Sequence, residues 1–302
     1  MTARATKQHV AARAVYLHSM NEIHTLAVVG AGTMGLGIAQ LGIQHGLPTV
    51  LFDLNPAALE RAQAAIAAGL DKLVAKGKLT AVARDAALAR LTATTDLRVV
   101  QADCIIEAVV ERLDVKHGLF RELAAVNGPA TILASNTSSL PITQLAAPVP
   151  HPERVVGLHF FNPAPLMPLV EVISGAATAP AVADAVEGLA RRLGKTPVRA
   201  ADAPGFIVNR VARHYYVESL KALEEQMAPF EVIDELLEAS GFKMGPFRLM
   251  DLIGVDTNFS VTSAMFASFH QDGKFRPSRI QQQKVDAGQH GRKTGEGFYK
   301  YQ

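Results

Sequence analysis

The sequence predicts a doubly wound α/β domain built on a mainly parallel sheet, followed by a second domain made only of helices. Three observations predict it. A glycine triplet, Gly30, Gly32 and Gly35, follows the short apolar run 25–29 and opens a helical stretch, GIAQLGIQHG. Strand-like and helix-like segments then alternate, the pattern of parallel strands joined by helical crossovers. From Phe206 onward the apolar spacing is helical, with no convincing strand before a Gly-rich tail. Pro204 and Gly205 mark the boundary, so residues 21–203 form the first domain and 204–302 the second.

The glycine triplet is a G-x-G-x-x-G turn with Thr33 and Met34 before its last glycine. The first glycine permits the tight turn, the second lets backbone approach a pyrophosphate, and the third lets helix pack on strand. The helix N-terminus then offers free N–H groups to an anion. A second strand, 49–52, ends at Asp53, which lies 18 residues after Gly35. An acid there accepts the ribose hydroxyls of a dinucleotide, and with no Arg directly after it NAD is favoured over NADP. The first domain therefore reads as Rossmann-like.

Residues from Pro56 to about Ala93 show helical spacing, with a break near LVAKGKLT where Gly77 can end the first of two helices. Lys72, Lys76 and Lys78 cluster at that break. Such a cluster is a solvated face, or it holds the phosphates of a second, anionic ligand. Strand DCIIEAVV, helix DVKHGLFRELAAV and strand TILASN follow. Ligands bind doubly wound sheets at the carboxyl ends of the strands. Glu111, Lys116, Asn136 and Ser138 all fall at or just after strand ends, and Asn136 is assigned to the cofactor on that position.

The stretch GLHFFNPAPLMPLVE carries the chemistry. His159 and Glu171 stand twelve residues apart. The three prolines between them exclude a helix, and the β-branched and aromatic flanks read as strand, turn, strand. Two neighbouring strands joined this way bring an imidazole and a carboxylate side by side. A carboxylate on one ring nitrogen fixes the tautomer and leaves the other for proton transfer. A buried structural His with a chance Glu nearby gives the same pattern.

The remaining chain narrows the classes of function. At 302 residues, with 49% apolar residues and a net charge of +2, it suits a two-domain globular enzyme. Basic residues form no long run, which argues against a nucleic-acid partner. No apolar run reaches the roughly 18 residues of a membrane span. The one cysteine, Cys104, excludes an internal disulfide and fits a reducing compartment, hence the cytoplasm. No metal-ligand spacing such as CxxC or HExxH occurs, so no metal is expected. Residues 1–20, with Arg4, Lys7, Arg13 and no acid, read as an extension or leader before a start at Met20. The alternative is a mitochondrial targeting segment. In the second domain, VNRVARHYYVESLKALEEQ reads as a long helix and EVIDELLEASG as a shorter one. MGPFRLMDLIGVDTNFSVTSAMFASF reads as an interrupted one.

GAGTMGLGIA, SNTSSLPIT, GLHFFNPAPLMPLVEV, DAPGFIVNR, KMGPFRLMDLIGVD and KTGEGFYKY occur in order between about Ile23 and Tyr301. Together they resemble the short-form L-3-hydroxyacyl-CoA dehydrogenases, particularly the bacterial 3-hydroxybutyryl-CoA dehydrogenases. The resemblance implies NAD-dependent oxidation of the (S)-3-hydroxyl of an acyl-CoA to the 3-ketone. It also implies a homodimer formed through the helical domain. His159 falls on the family's catalytic His and Glu171 on the acid paired with it. Ser138 falls on the Ser that contacts substrate and cofactor, and Asn209 on the Asn near the substrate carbonyl. Asp53, Glu111, Lys116, Asn162 and Lys293 match cofactor-binding positions, and Lys76 a CoA-binding Lys. One position departs: the Ser that often faces CoA in that helix is replaced here by Gly69. Related readings are a dehydrogenase of a polyol acid or carnitine, and a non-enzymatic, crystallin-like protein.

Overall fold

The computed structural model of the protein describes residues 22–301, so the leader assigned to residues 1–20 lies outside the described residues. The chain divides into two compact units between Ala203 and Pro204.

The first unit is built on one sheet of eight strands. Strands β1 (Leu26–Val29) and β2 (Thr49–Phe52) flank helix α1 (Thr33–Gln44) in sequence. Helix α2 (Pro56–Ala75) starts where the Asn55 side chain accepts the Ala57 N–H and Pro56 takes the first helical position. Its chain reverses at Gly77, φ +66°. Helix α3 (Ala81–Leu88) is capped by the Thr80 hydroxyl. Then come β3 (Leu91–Thr94), β4 (Cys104–Glu107), helix α4 (Leu113–Val126), β5 (Ile132–Ser135) and the short helix α5 (Ile142–Ala146). Strands β6 (Val155–Phe160) and β7 (Leu169–Ser174), helix α6 (Pro180–Arg192) and β8 (Thr196–Ala201) complete the unit.

The strands run in the order β3-β2-β1-β4-β5-β6-β7-β8. All neighbours are parallel except β6 and β7. Strands β1, β4 and β5 are buried along their whole length, as central strands covered on both faces must be. That is why they read as continuous apolar runs, with Glu107 the charged exception. The core joins these strands to α1, α2 and α6 through side chains such as Ile38, Ile66, Ile106 and Leu189.

Two strands lie where periodicity shows none. Strand β3, LTAT, falls inside the stretch read as helical up to Ala93. It is four residues long at the sheet edge and pairs only with β2. Its tertiary partner, not its own spacing, makes it a strand. Strand β8, TPVRAA, is largely exposed and pairs along its full length with β7.

The second unit holds helices α7 (Val208–Glu224), α8 (Phe230–Ala239), α9 (Pro246–Ile253), α10 (Val255–Ser268) and α11 (Arg279–Asp286). The interruption between α9 and α10 is Gly254, at φ +106°, a conformation closed to most other residues. Phe247 and Met250 are fully buried in its core beside Phe298. Each such side chain contributes about 1.5–3 kcal/mol by leaving water. The tail is held by Asp251, whose carboxylate accepts the N–H groups of Phe298 and Tyr299 and the Tyr301 hydroxyl. Among the described residues no helix is long and apolar enough to cross a membrane.

Candidate active site

The strand order reverses between β1 and β4, the switch point at which doubly wound sheets bind ligands. The glycine turn lies there. Gly30 has φ +105°, and a Cβ on it would stand 2.6 Å from the Ala108 carbonyl oxygen. A Cβ on Gly35 would stand 1.7 Å from the Gly30 carbonyl oxygen. Both positions are therefore glycine for internal packing. Gly32 differs: nothing stands within 4 Å of the Cβ it lacks. Space, not packing, accounts for that glycine.

Beside it lies a cavity of about 710 Å³, lined by Gly30, Gly32, Asp53, Ala108, Val109 and Val115 among others. That is the size of a small-molecule pocket. Asp53 accepts the Ala31 N–H at 2.8 Å on one oxygen and the Asn55 N–H at 2.9 Å on the other. Each carboxylate oxygen has two lone pairs, so acceptor capacity remains toward the cavity. An open glycine, a helix N-terminus and an aspartate on one apolar cavity fit the adenosine and pyrophosphate of NAD.

At the ends of β4 and β5 the charged side chains form one network. Lys116, 1% exposed, donates to both oxygens of Glu107 at 2.8 and 2.9 Å and pairs with Glu111 at 2.9 Å. The other Glu111 oxygen accepts the Thr137 hydroxyl at 2.6 Å and the N–H groups of Ser138 and Ser139 at 3.0 and 3.1 Å. Burial pushes the Glu111 carboxyl up, but the Lys116 ammonium and these hydrogen bonds outweigh it and leave it below its ordinary value. The loop carrying Ser138 is thus gathered onto one carboxylate oxygen.

Beyond β5, on the next two strands of the sheet, stands the His–Glu pair. His159 and Glu171 face each other across the antiparallel β6–β7 ladder. His159 Nδ1 lies 2.8 Å from Glu171 Oε2, with both side chains buried. With Nδ1–H directed at the carboxylate, Nε2 is the basic ring nitrogen. The Phe161 ring packs on the imidazole at 4.5 Å between centroids. Asn136, at the end of β5, accepts the Phe160 N–H at 2.8 Å through its side-chain oxygen and so ties β5 to the strand bearing His159.

The remaining predicted residues are more scattered. Asn162 is exposed at the start of the β6–β7 turn. Lys76 is exposed at the C-terminal end of α2. Gly69, two turns earlier, has a packing reason: a Cβ there would lie 2.7 Å from the Gln40 side chain of α1. A Ser at this position would have to displace it. Asn209 and Lys293 belong to the helical unit, where Lys293 lies 2.6 Å from Asp256. Periodicity overlooks two residues. Lys195 donates to the Ala164 and Met167 carbonyl oxygens at 2.6 and 2.9 Å and so braces the β6–β7 turn. Glu107 is the other, and its signal was present: an acid inside an apolar run must find a partner or leave the core.

The sequence model described as the NAD binding domain of 3-hydroxyacyl-CoA dehydrogenase matches residues 25–203, and that of its C-terminal domain matches 205–301. The chain belongs to the 3-hydroxyacyl-CoA dehydrogenase family. It is 51% identical over 282 residues to the 3-hydroxyadipyl-CoA dehydrogenase of Escherichia coli K12, covering 93% of this chain and 59% of that one. The chain therefore spans about six-tenths of that relative's length. It is 43% identical to a probable 3-hydroxybutyryl-CoA dehydrogenase of Deinococcus radiodurans, over 91% of this chain and 99% of the other. Among solved structures, the (S)-3-hydroxybutyryl-CoA dehydrogenase of Ralstonia eutropha matches with a TM-score of 0.90 and 41% identity. That match covers 93% of this chain and all of the other.

Proposed function

We propose that this chain interconverts (S)-3-hydroxyacyl-CoA and 3-ketoacyl-CoA, with His159 as the general base of oxidation and the acid of reduction. Short substrates of the 3-hydroxybutyryl-CoA and acetoacetyl-CoA type are the expected ones. The observation that carries this reading is the buried 2.8 Å contact between His159 Nδ1 and Glu171 Oε2. Oxidation of a secondary alcohol removes a proton from oxygen, and His159 Nε2 takes it. Glu171 stabilises the imidazolium that forms, without itself being protonated, as the buried acid does in a Ser-His-Asp triad. Ser138, and Asn209 by the resemblance, donate hydrogen bonds to the oxygen on which charge changes. NAD, when bound, accepts the hydride from the substrate carbon. Gly30, Gly32, Thr33, Met34, Gly35 and Asp53 hold it, joined by Glu111, Lys116, Asn136 and Asn162 and, by the resemblance alone, Lys293. A steady-state assay with NADH and 3-ketoacyl-CoAs of increasing chain length, 3-ketoadipyl-CoA included, tests the reading. Turnover of a polyol acid or carnitine in preference to every acyl-CoA overturns it.

The assembly and compartment are inferred in the same way. The helical unit exposes Val211, Met227, Leu236 and Phe242. These exposed apolar side chains support a homodimer in which a second copy covers them. A lone buried cysteine supports the cytoplasm.

Asp53→Ala is expected to weaken NADH binding and to narrow the preference for NADH over NADPH, measured as the ratio of kcat/KM values. The carboxylate accepts from the ribose and repels a 2′-phosphate. Wild-type enzyme that uses both cofactors equally would contradict this role. Lys76→Ala is expected to raise KM for acetoacetyl-CoA with little change in kcat, because a phosphate contact persists from ground state to transition state. An unchanged KM would make Lys76 a solvated side chain and nothing more.

A further inference from the structure

The proposed reaction uses Ser138 and Glu111 and gives Glu107 no part. We propose that Glu107 is a positioning residue for it. Glu107 grips Lys116, Lys116 fixes Glu111, and Glu111 sets the loop that presents Ser138.

Glu107 closes β4, in register with Val29 of β1 and Ser135 of β5, and is fully buried. Its carboxylate accepts four hydrogen bonds. They come from the Val109 N–H at 2.8 Å, from Lys116 at 2.8 and 2.9 Å, and from the Ser135 hydroxyl at 2.6 Å. An ammonium has three protons, and the three short contacts of Lys116 go to carboxylates: two to Glu107 and one to Glu111. Lys116 therefore cannot move toward Glu111 without loosening its hold on Glu107.

Stability alone does not account for this arrangement. Two carboxylates and one ammonium leave a formal net charge of −1, with Glu107 and Lys116 buried and only Glu111 open to water. Apolar residues of similar volume often serve stability as well or better. What the ions supply is position. A lysine ammonium is a point charge on a flexible four-carbon stem, and only a two-oxygen grip fixes where it sits. Once fixed, it holds Glu111, whose other oxygen collects Thr137, Ser138 and Ser139. By this route Glu107 acts at a distance of two side chains from the loop. Ser135, which donates to Glu107 at 2.6 Å and accepts the Thr137 N–H at 3.2 Å, holds the start of the loop as well. The route through Lys116 is the one that sets Ser138, so most of the effect should disappear when Glu111 can no longer transmit it.

The inference rests on the reaction proposed above, and a double-mutant cycle tests it with two readouts. Glu107→Gln, Glu111→Gln and the double variant are compared by NADH binding, followed by fluorescence, and by acetoacetyl-CoA reduction. Gln keeps the size of Glu107 but turns an amide N–H₂ toward groups that are all donors. Glu107→Gln should lower kcat by about 10- to 100-fold, the scale of a misplacement near 1 Å, and weaken NADH binding by about tenfold. KM for acetoacetyl-CoA should stay within about twofold of wild type. In the Glu111→Gln background the same change should add less than about threefold to either loss. Additive losses, or a lowered melting temperature with unchanged kcat and NADH affinity, would overturn the proposal. If Glu107→Gln does not fold, Glu107→Asp, which keeps the charge but shortens the side chain and so withdraws the two-oxygen grip on Lys116, is carried through the same cycle with the same criteria. If wild type reduces no 3-ketoacyl-CoA, the reaction is wrong, while the NADH-binding cycle still decides whether Glu107 acts through Glu111.

Discussion

Glu171→Gln is expected to lower kcat for alcohol oxidation by a factor within about 10²–10⁴, the span attached to losing a general base. The substitution keeps the volume of a side chain that is 1% exposed, so the fold has no new cavity to absorb. What it removes is the charge facing Nδ1 of His159 at 2.8 Å. The imidazolium forms during the chemical step, so the loss belongs in kcat and not in KM for the acyl-CoA. His159→Ala should cost at least as much. The double variant should be little worse than His159→Ala alone, because the proposed work of Glu171 is done through the imidazole and is lost with it. Stopped-flow measurement of NADH formation on single turnover isolates the step. A Glu171→Gln enzyme with near-wild-type kcat would reduce the carboxylate to a structural partner and leave His159 to act alone.

Gly35→Ala is expected to be the most damaging single change in the glycine turn. Its Cβ would fall 1.7 Å from the Gly30 carbonyl oxygen, a backbone atom that cannot rotate away. Either the turn or α1 must move, and a cost above about 3 kcal/mol follows from forced backbone displacement in a packed site. Gly32→Ala makes the contrast. With nothing within 4 Å of the new methyl group, the variant should melt within a few degrees of wild type. It should nevertheless lose NADH affinity by tenfold or more, because the methyl occupies the space through which backbone approaches a pyrophosphate. Thermal melts and NADH titration of the two variants separate the two kinds of glycine. A Gly32→Ala protein that binds NADH as tightly as wild type would mean that the open space is not the cofactor's.

Much of the site was legible because its signals are local. The turn at Gly30, Gly32 and Gly35 and the acid at Asp53 lie within one strand-helix-strand unit. The partnership of His159 and Glu171 was legible for a similar reason. Three prolines between two β-rich runs force the chain to double back over twelve residues, and the cross-strand register does the rest. Neither the edge strand β3 nor the outer strand β8 was legible. Four residues of LTAT carry no period long enough to separate strand from helix end, and β8 is held by its pairing with β7.

By itself, then, the order of residues determined the fold class, the dinucleotide turn, the change to helices beyond Pro204 and the meeting of His159 with Glu171. Each depends on spacing along the chain, which periodicity, glycine and proline record directly. Tertiary structure alone decided which ions meet. Nothing in the spacing of Glu107, Glu111 and Lys116 says that the ammonium grips one carboxylate with both oxygens and the other with one. Nor does it say that Gly69 is small because Gln40 of α1 crosses it. Such contacts join elements whose relative placement follows from packing the whole sheet and its helices. A buried charge then takes whichever partner that packing brings within hydrogen-bond reach, because leaving it unpaired costs more than any local preference can return.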